Sequence, residues 1–429
     1  MKDRPKNSFH EELSWRGFIH TSTPGVREHI LRGPLTGYIG FDPTAPSLHV
    51  GSLLPIMGLV QLQRGGHRPI AIAGGGTGMI GDPSGKSQER NLLSAVDIAA
   101  NLQGIRDQLG HYLDFGGGDN RAIIVDNADW LAPLGMMDFL RDIGKFFSVN
   151  EMLAKESVKS RLGKEKGISF TEFTYSVLQA YDYLALFDRY GCTLQMGGSD
   201  QWGNIVSGID LVRRMRSGEV HGIVYPLITT SAGEKFGKTE AGTVWLDPGR
   251  TSPYAFYQFW LNTDDKDVVR YLKFFTLLPQ QEISALAEAH SREPGKRVAH
   301  RRLAAEATAM LHGDDALKQA ERASGIFFGE EITDVSVETL LEIFADVPST
   351  EVPKERVLGG DFPVLDLIVS TGIVSSKGEG RRAIEGGGLY LNNARVSSPA
   401  DKIPRRACLH GKFIVLRKGG RNYTLVKLV

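Results

Sequence analysis

The sequence predicts an α/β protein in which a doubly wound, Rossmann-like parallel sheet is followed by an all-helical domain and a small α+β domain. In the first 240 residues, short apolar runs alternate with helical stretches, as in a parallel sheet covered by helices. Glycine accounts for 50 of the 429 residues and clusters at the ends of the apolar runs. No period of about 20 to 50 residues repeats, which excludes solenoids and propellers.

Five apolar runs predict the strands of the sheet. Each run is short and is bounded by glycine, proline or polar residues, as buried strands are. The runs cover residues 35–41, 69–73, 121–125, 192–196 and 222–228.

Two helices between these strands are defined by their ends. The first is expected over about 48–63, with Ser47 as a candidate N-cap and two glycines after its last turn. The second is expected over 94–115, where apolar residues recur at three- and four-residue steps and Ser94 begins a capping box with Asp97.

Shifts in composition divide the chain into four parts. A mostly helical insertion interrupts the sheet domain at about 130–165, and two prolines among polar residues indicate a connector before the last domain. In that last domain a helix is expected near 364–369 and strands near 413–416 and 423–428. The predicted parts are the sheet domain 1–240, the helical domain 241–330, the connector 331–360 and the small domain 361–429.

The charge of the chain is balanced overall but not locally. With 50 basic and 50 acidic residues, composition alone indicates no nucleic-acid partner. Between Lys377 and Lys427, however, twelve basic residues accompany three acidic ones, a net charge of +9 that is typical of a module binding a phosphate backbone. The side chains predicted to make these contacts are Arg381, Arg382, Arg405 and Arg406.

The chain carries no membrane or export signal. No segment is long and apolar enough to span a bilayer, and the first residues lack the apolar stretch of a secretory signal. A cytoplasmic protein without membrane contact is therefore predicted. The two cysteines, Cys192 and Cys408, lie far apart without metal-ligand spacing, which argues against a disulfide framework and against a zinc site.

Two short motifs, almost two hundred residues apart, carry groups suited to a polyphosphate. Thr44 and His49 lie between a predicted strand and helix, where backbone N–H groups and the helix dipole attract an anion. Lys235 and Lys238 lie in a glycine-containing loop, from which their ammonium groups can reach phosphate oxygens. Taken alone, the histidine is better explained as structural and the lysines as solvated. The two motifs together favour a phosphate site.

A glycine-rich segment offers two competing motifs. The sequence GTGMIG at 76–81 fits the dinucleotide fingerprint and leaves a dinucleotide-dependent oxidoreductase as one alternative, but Pro83 and Gly85 disfavour the helix that this fingerprint requires. Residues 81–87 resemble a P-loop in which Ile80 occupies the place of the first glycine. Neither motif has the surrounding sequence that nucleotide binding of its type requires, so neither supports such a site.

Five motifs occur together, in order: GFDPTAPSLH at 40–49, HVGS at 49–52, QAYD at 179–182, GGSDQWGN at 197–204 and KFGKT at 235–239. They resemble the signatures of the class I aminoacyl-tRNA synthetases and, more narrowly, of the bacterial-type tyrosyl-tRNA synthetase family. The resemblance runs from about residue 15 to residue 429. The sequence GRRAIEGGGLYLN at 380–392 also resembles the small RNA-binding domain shared with a ribosomal protein.

The resemblance implies a ligase that activates tyrosine with ATP, releases pyrophosphate and transfers the tyrosyl group to the 3′ end of the tyrosine tRNA. It also implies a homodimer formed through the 130–165 insertion, and Mg²⁺ carried on the nucleotide with no metal bound by the protein itself. Tyrosine would be held by Tyr38, Asp82, Tyr175, Gln179, Asp182 and Gln201. ATP would be held by Gly40, Asp42, Gly51, Ser52, Gly198 and Asp200. The reaction would be promoted by Thr44, His49, Lys86, Arg90, Lys235, Lys238 and Thr239.

Two positions depart from the family pattern. Ser52 stands where the signature usually ends in histidine or asparagine, and the side chain of Ile39 has no hydrogen-bonding group. Weaker ribose contacts are expected, not a loss of activity. A second alternative is a non-catalytic RNA-binding protein on a synthetase scaffold. Such a protein would be free to lose His49, Lys235 and Asp182, and all three are present.

Overall fold

The computed structural model of the chain describes residues 8–84, 94–162, 167–239, 242–332, 335–345, 347–359, 361–420 and 422–429. The chain divides into two compact units. The first comprises Met1–Thr251 and Phe259–Leu311, and the second comprises Ser252–Gln258 and His312–Val429. Within the described ranges, every helix is too short or too polar to cross a membrane.

A six-stranded sheet organises the first unit. Its strands are β1 (Thr21–Ser22), β2 (Thr36–Phe41), β3 (Arg68–Ala73), β4 (Ile123–Asp126), β5 (Cys192–Gly198) and β6 (His221–Tyr225). They lie in the order β1-β6-β5-β2-β3-β4, and all neighbours are parallel except β1 and β6. A short antiparallel pair follows, β7 (Lys238–Thr239) and β8 (Gly242–Thr243). The strand order reverses between β2 and β5, and ligands of such sheets bind there, at the carboxyl ends of the strands.

Helices connect these strands and complete the unit. They are α1 (Phe9–Arg16), α2 (Val26–Leu31), α3 (Leu53–Arg64), α4 (Ala95–Leu109), α5 (Ala128–Leu131), α6 (Met136–Asp138), α7 (Val149–Leu153), α8 (Glu156–Leu162), α9 (Phe170–Tyr190), α10 (Trp202–Arg216), α11 (Pro253–Leu261), α12 (Val268–Phe275), α13 (Gln280–Arg292) and α14 (Val298–Ile326). Short 3₁₀ or π turns cover Val50–Ser52, Thr77–Met79, Phe139–Ile143, Gly144–Phe146, Ser199–Gln201 and Pro294–Lys296. Both α11 and α14 continue into the second unit.

The predicted doubly wound sheet is confirmed. All five predicted strands are present as β2 to β6. Their apolar side chains are buried, as Ile70 and Ile72 illustrate with 0 and 2 % exposure. The second predicted helix is α4, and Ser94 and Asp97 form the capping box in both directions.

The first predicted helix begins differently from the expectation. Ser47 does not cap it, because the Ser47 hydroxyl oxygen accepts instead from Gln108 Nε2 at 2.9 Å and from the N–H of Asp247 at 3.2 Å. The chain instead makes a 3₁₀ turn whose N-cap is His49, with Nδ1 accepting from the N–H of Gly51, and the α-helix starts at Leu53. The helix start therefore uses the histidine side chain that the sequence predicted for a ligand.

The second unit is built on a five-stranded sheet in the order β11-β10-β12-β13-β9, in which only β9 and β13 are parallel. The strands are β9 (Ser349–Val352), β10 (Leu389–Leu391), β11 (Ala394–Arg395), β12 (Phe413–Lys418) and β13 (Asn422–Leu428). The helices are α15 (Val337–Ile343), α16 (Lys354–Leu358), α17 (Val364–Ser370) and α18 (Lys377–Glu385), with a 3₁₀ turn at Arg405–Ala407. The segment 331–360, predicted as a connector, thus contributes two helices and an edge strand of this sheet.

Both faces of β12 are buried in apolar clusters. Ile414 and Leu416 belong to one cluster, which also contains side chains of α17 and α18, whereas Phe413 and Val415 belong to the other, with side chains of α14 and α15. This period of two is the alternation of a strand between two layers. The predicted helix near 364 and the two predicted strands are present as α17, β12 and β13.

Candidate active site

A cavity of about 580 Å³ opens at the carboxyl ends of β2 and β5, where the strand order reverses. We call its exposed part, lined by Thr44, His49 and Lys235, the mouth, and its buried part, lined by Tyr38 and Asp182, the floor. Fifteen of the residues predicted from the sequence line this cavity: Tyr38, Gly40, Asp42, Thr44, His49, Gly51, Ser52, Asp82, Tyr175, Gln179, Asp182, Gly198, Asp200, Gln201 and Lys235.

The two distant motifs meet at the mouth. His49 forms an antiparallel bridge with Trp245, and the N–H of Val50 donates to the carbonyl of Val244 at 3.0 Å. Gly237 has φ 85°, and a Cβ added to it would lie 2.6 Å from Val50 Cγ2. Only glycine suits both this backbone conformation and this close approach. The two motifs therefore form one site.

The imidazole of His49 is held by the backbone of its own turn. Its Nδ1 accepts from the N–H of Gly51 at 3.0 Å, and a Cβ at Gly51 would lie 2.6 Å from His49 Cε1. Since Nδ1 is an acceptor, the neutral ring carries its proton on Nε2. From the mouth, the ring can therefore donate a hydrogen bond to a phosphate oxygen.

Asp182 is the buried carboxyl of the floor, at 3 % exposure. Trp130 Nε1 donates to its Oδ1 at 2.8 Å, and Asn127 Nδ2 donates to its Oδ2 at 3.1 Å. Burial raises the pKa of Asp182 to about 7, and the two donors oppose that shift because they stabilise the carboxylate. Near neutral pH the group is therefore close to its midpoint, and only its ionised form accepts hydrogen bonds through both oxygens.

Two polar atoms of the floor have no partner among the residues that the structure describes. They are the hydroxyl of Tyr38 and Oε1 of Gln195, in residues with 1 and 3 % exposure. Tyr38 and Gln195 are register partners on β2 and β5, and both line the cavity. A buried polar group without a hydrogen bond costs about 1–3 kcal/mol. A ligand that brings a hydroxyl to the floor would remove this cost.

A second carboxylate, Asp82, stands elsewhere on the cavity wall. Its Oδ1 accepts from the N–H of Ser84 at 2.9 Å, and its Oδ2 accepts from Gln201 Nε2 at 2.8 Å. Asn204 Nδ2 donates to Oε1 of Gln179 at 3.0 Å and to Oε1 of Gln201 at 3.2 Å. This network presents a carboxylate and amide oxygens, which are the acceptors that an ammonium group requires.

Tyr175 lies on α9, the helix that also carries Gln179 and Asp182 at four- and three-residue steps. Its hydroxyl donates to Asp42 Oδ2 at 2.9 Å, and Thr77 Oγ1 donates to Asp42 Oδ1 at 3.0 Å. Burial and then the charge of Asp42 raise the pKa of Tyr175, so its hydroxyl keeps the proton that it donates. This contact joins a residue predicted for tyrosine to one predicted for ATP.

The side chains of four predicted residues lie outside the described part of the structure. Lys86 and Arg90 lie outside the described residues. Lys238 and Thr239 form β7, which follows the mouth residue Lys235, but their side chains are outside the described part. The contribution of these four residues rests on the sequence.

The glycine-rich segment after β3 is organised by side chains of the protein itself. The N–H of Gly75 donates to Asp126 Oδ1 at 3.1 Å, and the N–H of Gly76 donates to Asn127 Oδ1 at 2.8 Å. A 3₁₀ turn, Thr77–Met79, follows instead of the long helix of a dinucleotide site. Amides that are already paired cannot cradle a pyrophosphate, so the geometry removes the support for the dinucleotide alternative.

All four predicted arginines of the second unit are exposed. Arg381 and Arg382 lie on α18, and Arg405 and Arg406 lie on the 3₁₀ turn Arg405–Ala407. Arg405 Nε also donates to the carbonyl of Leu358 at 2.6 Å.

Four other basic residues of this segment are neutralised or buried. Arg417 is 9 % exposed and stacks over the ring of Tyr390 at 3.7 Å. Three lysines form ion pairs with N–O distances of 2.5 Å: Lys377 with Asp366, Lys402 with Asp361 and Lys418 with Glu379. The count of +9 therefore overstates the unpaired charge, and the exposed arginines carry much of what remains.

Sequence reasoning missed three residues of the floor. Asn127 directly follows β4, and a polar residue after a buried strand is the signal that could have found it. Trp130 was assigned to the start of the insertion, whereas it is 3 % exposed and donates to Asp182. Gln195 has no local signal, because its place depends on the register of β5 with β2.

Two family models match the chain. The model of class I tRNA synthetases (W and Y) matches residues 31–329, and that of the tyrosine–tRNA ligase SYY-like C-terminal domain matches residues 339–426. The chain is 52 % identical over 419 residues to the tyrosine–tRNA ligase of Roseiflexus castenholzii, covering 98 % of this chain and 99 % of that protein. It is 52 % identical over 421 residues to the tyrosine–tRNA ligase of Anaeromyxobacter dehalogenans, covering 97 % and 99 %.

Solved structures share the architecture. A C-terminally truncated mitochondrial tyrosyl-tRNA synthetase from Coccidioides posadasii superimposes with a TM-score of 0.65 at 33 % identity, covering 73 % of this chain and 91 % of that chain. A tryptophanyl-tRNA synthetase from Encephalitozoon cuniculi, bound to tryptophan, gives a TM-score of 0.53 at 13 % identity and covers 72 % and 87 %. The second match is a likeness of fold.

Proposed function

Since the chain belongs to the tyrosine–tRNA ligase family of class I tRNA synthetases, we propose that it activates tyrosine with ATP and transfers the tyrosyl group to the 3′ end of the tyrosine tRNA. The observation that carries this proposal is the cavity in which the two distant motifs meet beside a buried floor suited to a hydroxyl. The alternative of a non-catalytic RNA-binding protein leaves this arrangement without a purpose.

The floor is the proposed site of the tyrosine side chain. A phenol hydroxyl placed there would donate to the carboxylate of Asp182 and accept from the hydroxyl of Tyr38, which has no other partner among the described residues. Phenylalanine would leave the Tyr38 hydroxyl buried and unpaired and would bring no donor to Asp182. At about 1–3 kcal/mol for a buried group without a partner, the floor favours tyrosine over phenylalanine.

The amino group of the substrate is proposed to lie beside Asp82. The carboxylate there is 8 % exposed and is oriented by Ser84 and Gln201, so it is preorganised for an ammonium ion. Tyr175 and Gln179 complete this end of the subsite. With both ends of the amino acid held, its carboxylate would point towards the mouth.

The mouth is the proposed site of ATP and its bound Mg²⁺. Gly40, Gly51 and Gly198 leave space beside the strand ends, Asp42, Ser52 and Asp200 offer polar groups, and Thr44, His49 and Lys235 bring donors and positive charge. The assignment of Lys86, Arg90, Lys238 and Thr239 to the phosphates rests on the family resemblance alone.

The first reaction needs no dedicated base, because the carboxylate of tyrosine is already ionised at neutral pH. A carboxylate oxygen attacks the α-phosphorus, the bond from that phosphorus to the pyrophosphate oxygen breaks, and tyrosyl-adenylate and pyrophosphate form. Positioning and stabilisation of the charge that develops on pyrophosphate then account for catalysis. In the second step a terminal ribose hydroxyl of the tRNA attacks the carbonyl carbon and AMP leaves.

Binding of the tRNA is proposed to involve the exposed arginines of the second unit. Arg381, Arg382, Arg405 and Arg406 are solvent-accessible, and contacts of such side chains with phosphates release counterions. The division of labour proposed here assigns activation to the sheet domain and tRNA capture to the C-terminal domain. A cytoplasmic location belongs to the same proposal, because charged tRNA is consumed by the ribosome.

A homodimer is proposed on the exposed apolar side chains of the insertion. Met136, Met137 and Phe170 are 72, 70 and 76 % exposed, and Leu140 and Val149 are exposed between them in sequence. Large apolar side chains exposed in such number within and just after the insertion favour an interface. Sedimentation velocity of the Met136→Lys variant should detect monomer if this surface holds the dimer.

Pyrophosphate exchange into ATP, measured with each of the twenty amino acids, tests the proposed activity. Tyrosine alone should support exchange, and the full chain should then charge tyrosine tRNA. Comparable exchange with tryptophan or phenylalanine would overturn the assignment of the floor. Binding of tRNA without any exchange would favour the non-catalytic alternative.

A further inference from the structure

A cluster outside the cavity brings together two histidines and a carboxylate. His290 lies on α13, His300 on α14, and Asp265 in the turn before α12, all within the first unit. One ring nitrogen from each histidine and one oxygen of Asp265 lie within 4.8 Å of one another. The proposed reaction makes no use of them. The ligands come from separate segments, so spacing along the sequence could not predict the cluster.

His300 is the unusual member of the cluster. It is fully buried, at 0 % exposure, and neither of its ring nitrogens forms a hydrogen bond of acceptable geometry with a described residue. Its Nε2 lies 3.2 Å from Asp265 Oδ1. The backbone of Thr263 also faces the ring, but a buried nitrogen without a well-aligned hydrogen bond is costly, and a cation would satisfy it.

His290 is oriented as a metal ligand would be. Its Nε2 lies 3.0 Å from the carbonyl oxygen of Asp265, a partner that can only accept, so Nε2 carries the proton. Its Nδ1 is then a lone pair, and it is buried without a partner among the described residues. A backbone carbonyl behind the ring is the usual outer partner of a metal-bound histidine.

We propose that His290 Nδ1, His300 Nε2 and a carboxylate oxygen of Asp265 bind a divalent cation of the zinc class. Two imidazoles with one carboxylate suit Zn²⁺, Co²⁺ or Ni²⁺, whereas Ca²⁺ and Mg²⁺ prefer oxygen ligands alone. Tetrahedral ligands about 2.1 Å from zinc stand roughly 3.4 Å apart. His300 Nε2 and Asp265 Oδ1 are already near that separation at 3.2 Å, and a ring nitrogen of His290 lies within 4.8 Å of the ligand atoms of both residues.

His300 is in the protonation state that a metal ligand needs, because burial and then the charge of Arg297 lower its pKa to about 4. Arg297, which donates to the carbonyls of Leu261 and Thr263, lies 3.7 Å from Asp265 Oδ1. A bound cation would have to displace this ion pair, which is longer than the 2.8 Å pair between Arg32 and Glu219 in a second histidine cluster. Asp265 itself is 54 % exposed, which gives a cation access from solvent.

A cation bound there would stabilise the turn that contacts the segment before Lys235. Two residues beyond Asp265, Asp267 Oδ2 accepts from the N–H of Ser231 at 2.8 Å. Arg270, on the helix that follows, donates to the carbonyl of Thr229 at 2.6 Å. These bonds hold the segment that leads into Lys235. The cation would thus join α13 and α14 to the turn on which that segment rests.

A second cluster also places three potential ligand atoms within 4.8 Å of one another. It consists of His29, Glu219 and His221. Glu219 already forms a 2.8 Å ion pair with Arg32, which competes for the carboxylate. This group is therefore the control, not the proposed site.

The test uses the full-length protein stripped with a chelator and titrated with ZnCl₂ by calorimetry and thermal unfolding. Wild type should bind one Zn²⁺ at the site, and at about a hundredfold excess over Kd its Tm should rise by roughly 5 °C or more. Asp265→Asn and His290→Gln should each lower the affinity at least ~10-fold, whereas His29→Gln should bind as wild type does. Asp265 is exposed and its asparagine variant keeps the shape of the side chain, so that variant remains folded.

Co²⁺ provides a second readout, because visible absorption of tetrahedral Co²⁺ reports direct coordination. The absorption should appear with wild type and His29→Gln and be absent with Asp265→Asn. No Zn²⁺-dependent rise in Tm, equal affinity in the Asp265 and His290 variants, or loss of binding in His29→Gln alone would each overturn the proposal.

Discussion

The floor and the mouth of the cavity differ in burial and in how their polar groups are held. In the floor, Tyr38 and Asp182 are 1 and 3 % exposed, and both oxygens of Asp182 are held by donors in the absence of ligand. In the mouth, Thr44, His49 and Lys235 are exposed to solvent. The buried end is held by hydrogen bonds within the protein, whereas the exposed end carries the groups proposed to contact the nucleotide.

This difference separates selection from catalysis. A buried network discriminates between ligands because a wrong ligand leaves polar groups unpaired. Exposed donors and cations contribute most where charge develops during the reaction. Substitutions in the floor should therefore change which amino acid is used, and substitutions in the mouth should change how fast it reacts.

The largest effect is expected from Asp182→Ala. Removing the carboxyl leaves the donors of Trp130 and Asn127 unpaired in the floor and removes the acceptor proposed for the phenol. The unpaired donors lower the stability of the free and bound protein alike, whereas a phenol buried without its charged acceptor costs about 3–4 kcal/mol, so kcat/KM for tyrosine in pyrophosphate exchange should fall on the order of 10²- to 10³-fold. Asp200→Ala, which removes an exposed carboxylate from the same cavity, is the matched control and should affect ATP instead. Equal losses in the two variants would break the distinction between floor and mouth.

The second effect is expected in the mouth. Thr44→Ala and His49→Ala should each lower kcat for activation on the order of 10²-fold, because one preorganised donor to the leaving pyrophosphate is lost. Tyrosine affinity, measured by equilibrium dialysis, should stay nearly unchanged. Weaker tyrosine binding in proportion to the rate would instead assign these residues to the structure of the site.

The sequence predicted the parts of the molecule whose signals are local. The strands and α4 follow from apolar runs and from the pair Ser94 and Asp97, and the residues of the cavity follow from five short motifs. Ser47 failed as a cap because His49 competes for the same turn and pairs with Gly51. A choice between two side chains that can both cap depends on tertiary packing, which sequence patterns do not contain.

The remaining features that the sequence did not predict depend on strand register or on pairing between distant segments. Gln195 reaches the floor because β5 aligns with β2, and Trp130 does so because the chain after β4 turns towards α9. The count of basic residues in the second unit included lysines that ion pairs neutralise. Such pairs arise only when segments meet, so charge counting gives an upper limit.

The third prediction extends the comparison beyond the cavity. Reversing Arg381, Arg382 and Arg406 to Glu should leave pyrophosphate exchange near normal and raise KM for tRNA at least ~10-fold at physiological salt, because phosphate contacts are lost. The slope of log tRNA affinity against log salt concentration should become less negative by roughly two to three. Arg405 is left in place because its Nε supports the carbonyl of Leu358.

The control for this variant carries the same change in net charge elsewhere. Reversal of Arg292, Lys296 and Lys318, which are exposed and paired with acidic neighbours, should leave tRNA charging unaffected. Charge reversal is preferable to truncation near residue 353, because β9 pairs with β13. Truncation there would remove β13 and leave β9 without its partner strand. Similar losses in both variants would indicate a general effect of net charge.

The fourth prediction sharpens the description of the floor through pH. Since burial raises the pKa of Asp182 to about 7, the folded protein holds a proton at pH values where the unfolded chain has lost it. Stability contributed by this proton is present at low pH and is lost as pH rises through about 7. Tyrosine binding should change in the opposite direction, weakening about fivefold between pH 7 and 6, because the ionised fraction of Asp182 falls from about a half to about a tenth.

The Asp182→Asn variant measures the effect of this proton, because asparagine does not titrate. The wild-type Tm should decline between about pH 5.5 and 8 by more than the Tm of the variant does, because the variant has no group to titrate there. Identical pH profiles of Tm for the two proteins would show that Asp182 does not carry the shifted pKa.

The smallest effect is expected from Ser52→Ala, at the edge of the mouth. Ser52 lines the cavity at the N-cap position of α3, yet its side chain makes no capping hydrogen bond. Loss of the hydroxyl should therefore leave Tm nearly unchanged, and any kinetic change belongs to the ligand. Because a neutral hydrogen bond contributes about 0.5–1.5 kcal/mol, KM for ATP should rise roughly two- to tenfold while tyrosine binding stays constant. A fall in Tm with unchanged ATP kinetics would make Ser52 a helix cap and leave the ribose without a donor at this position.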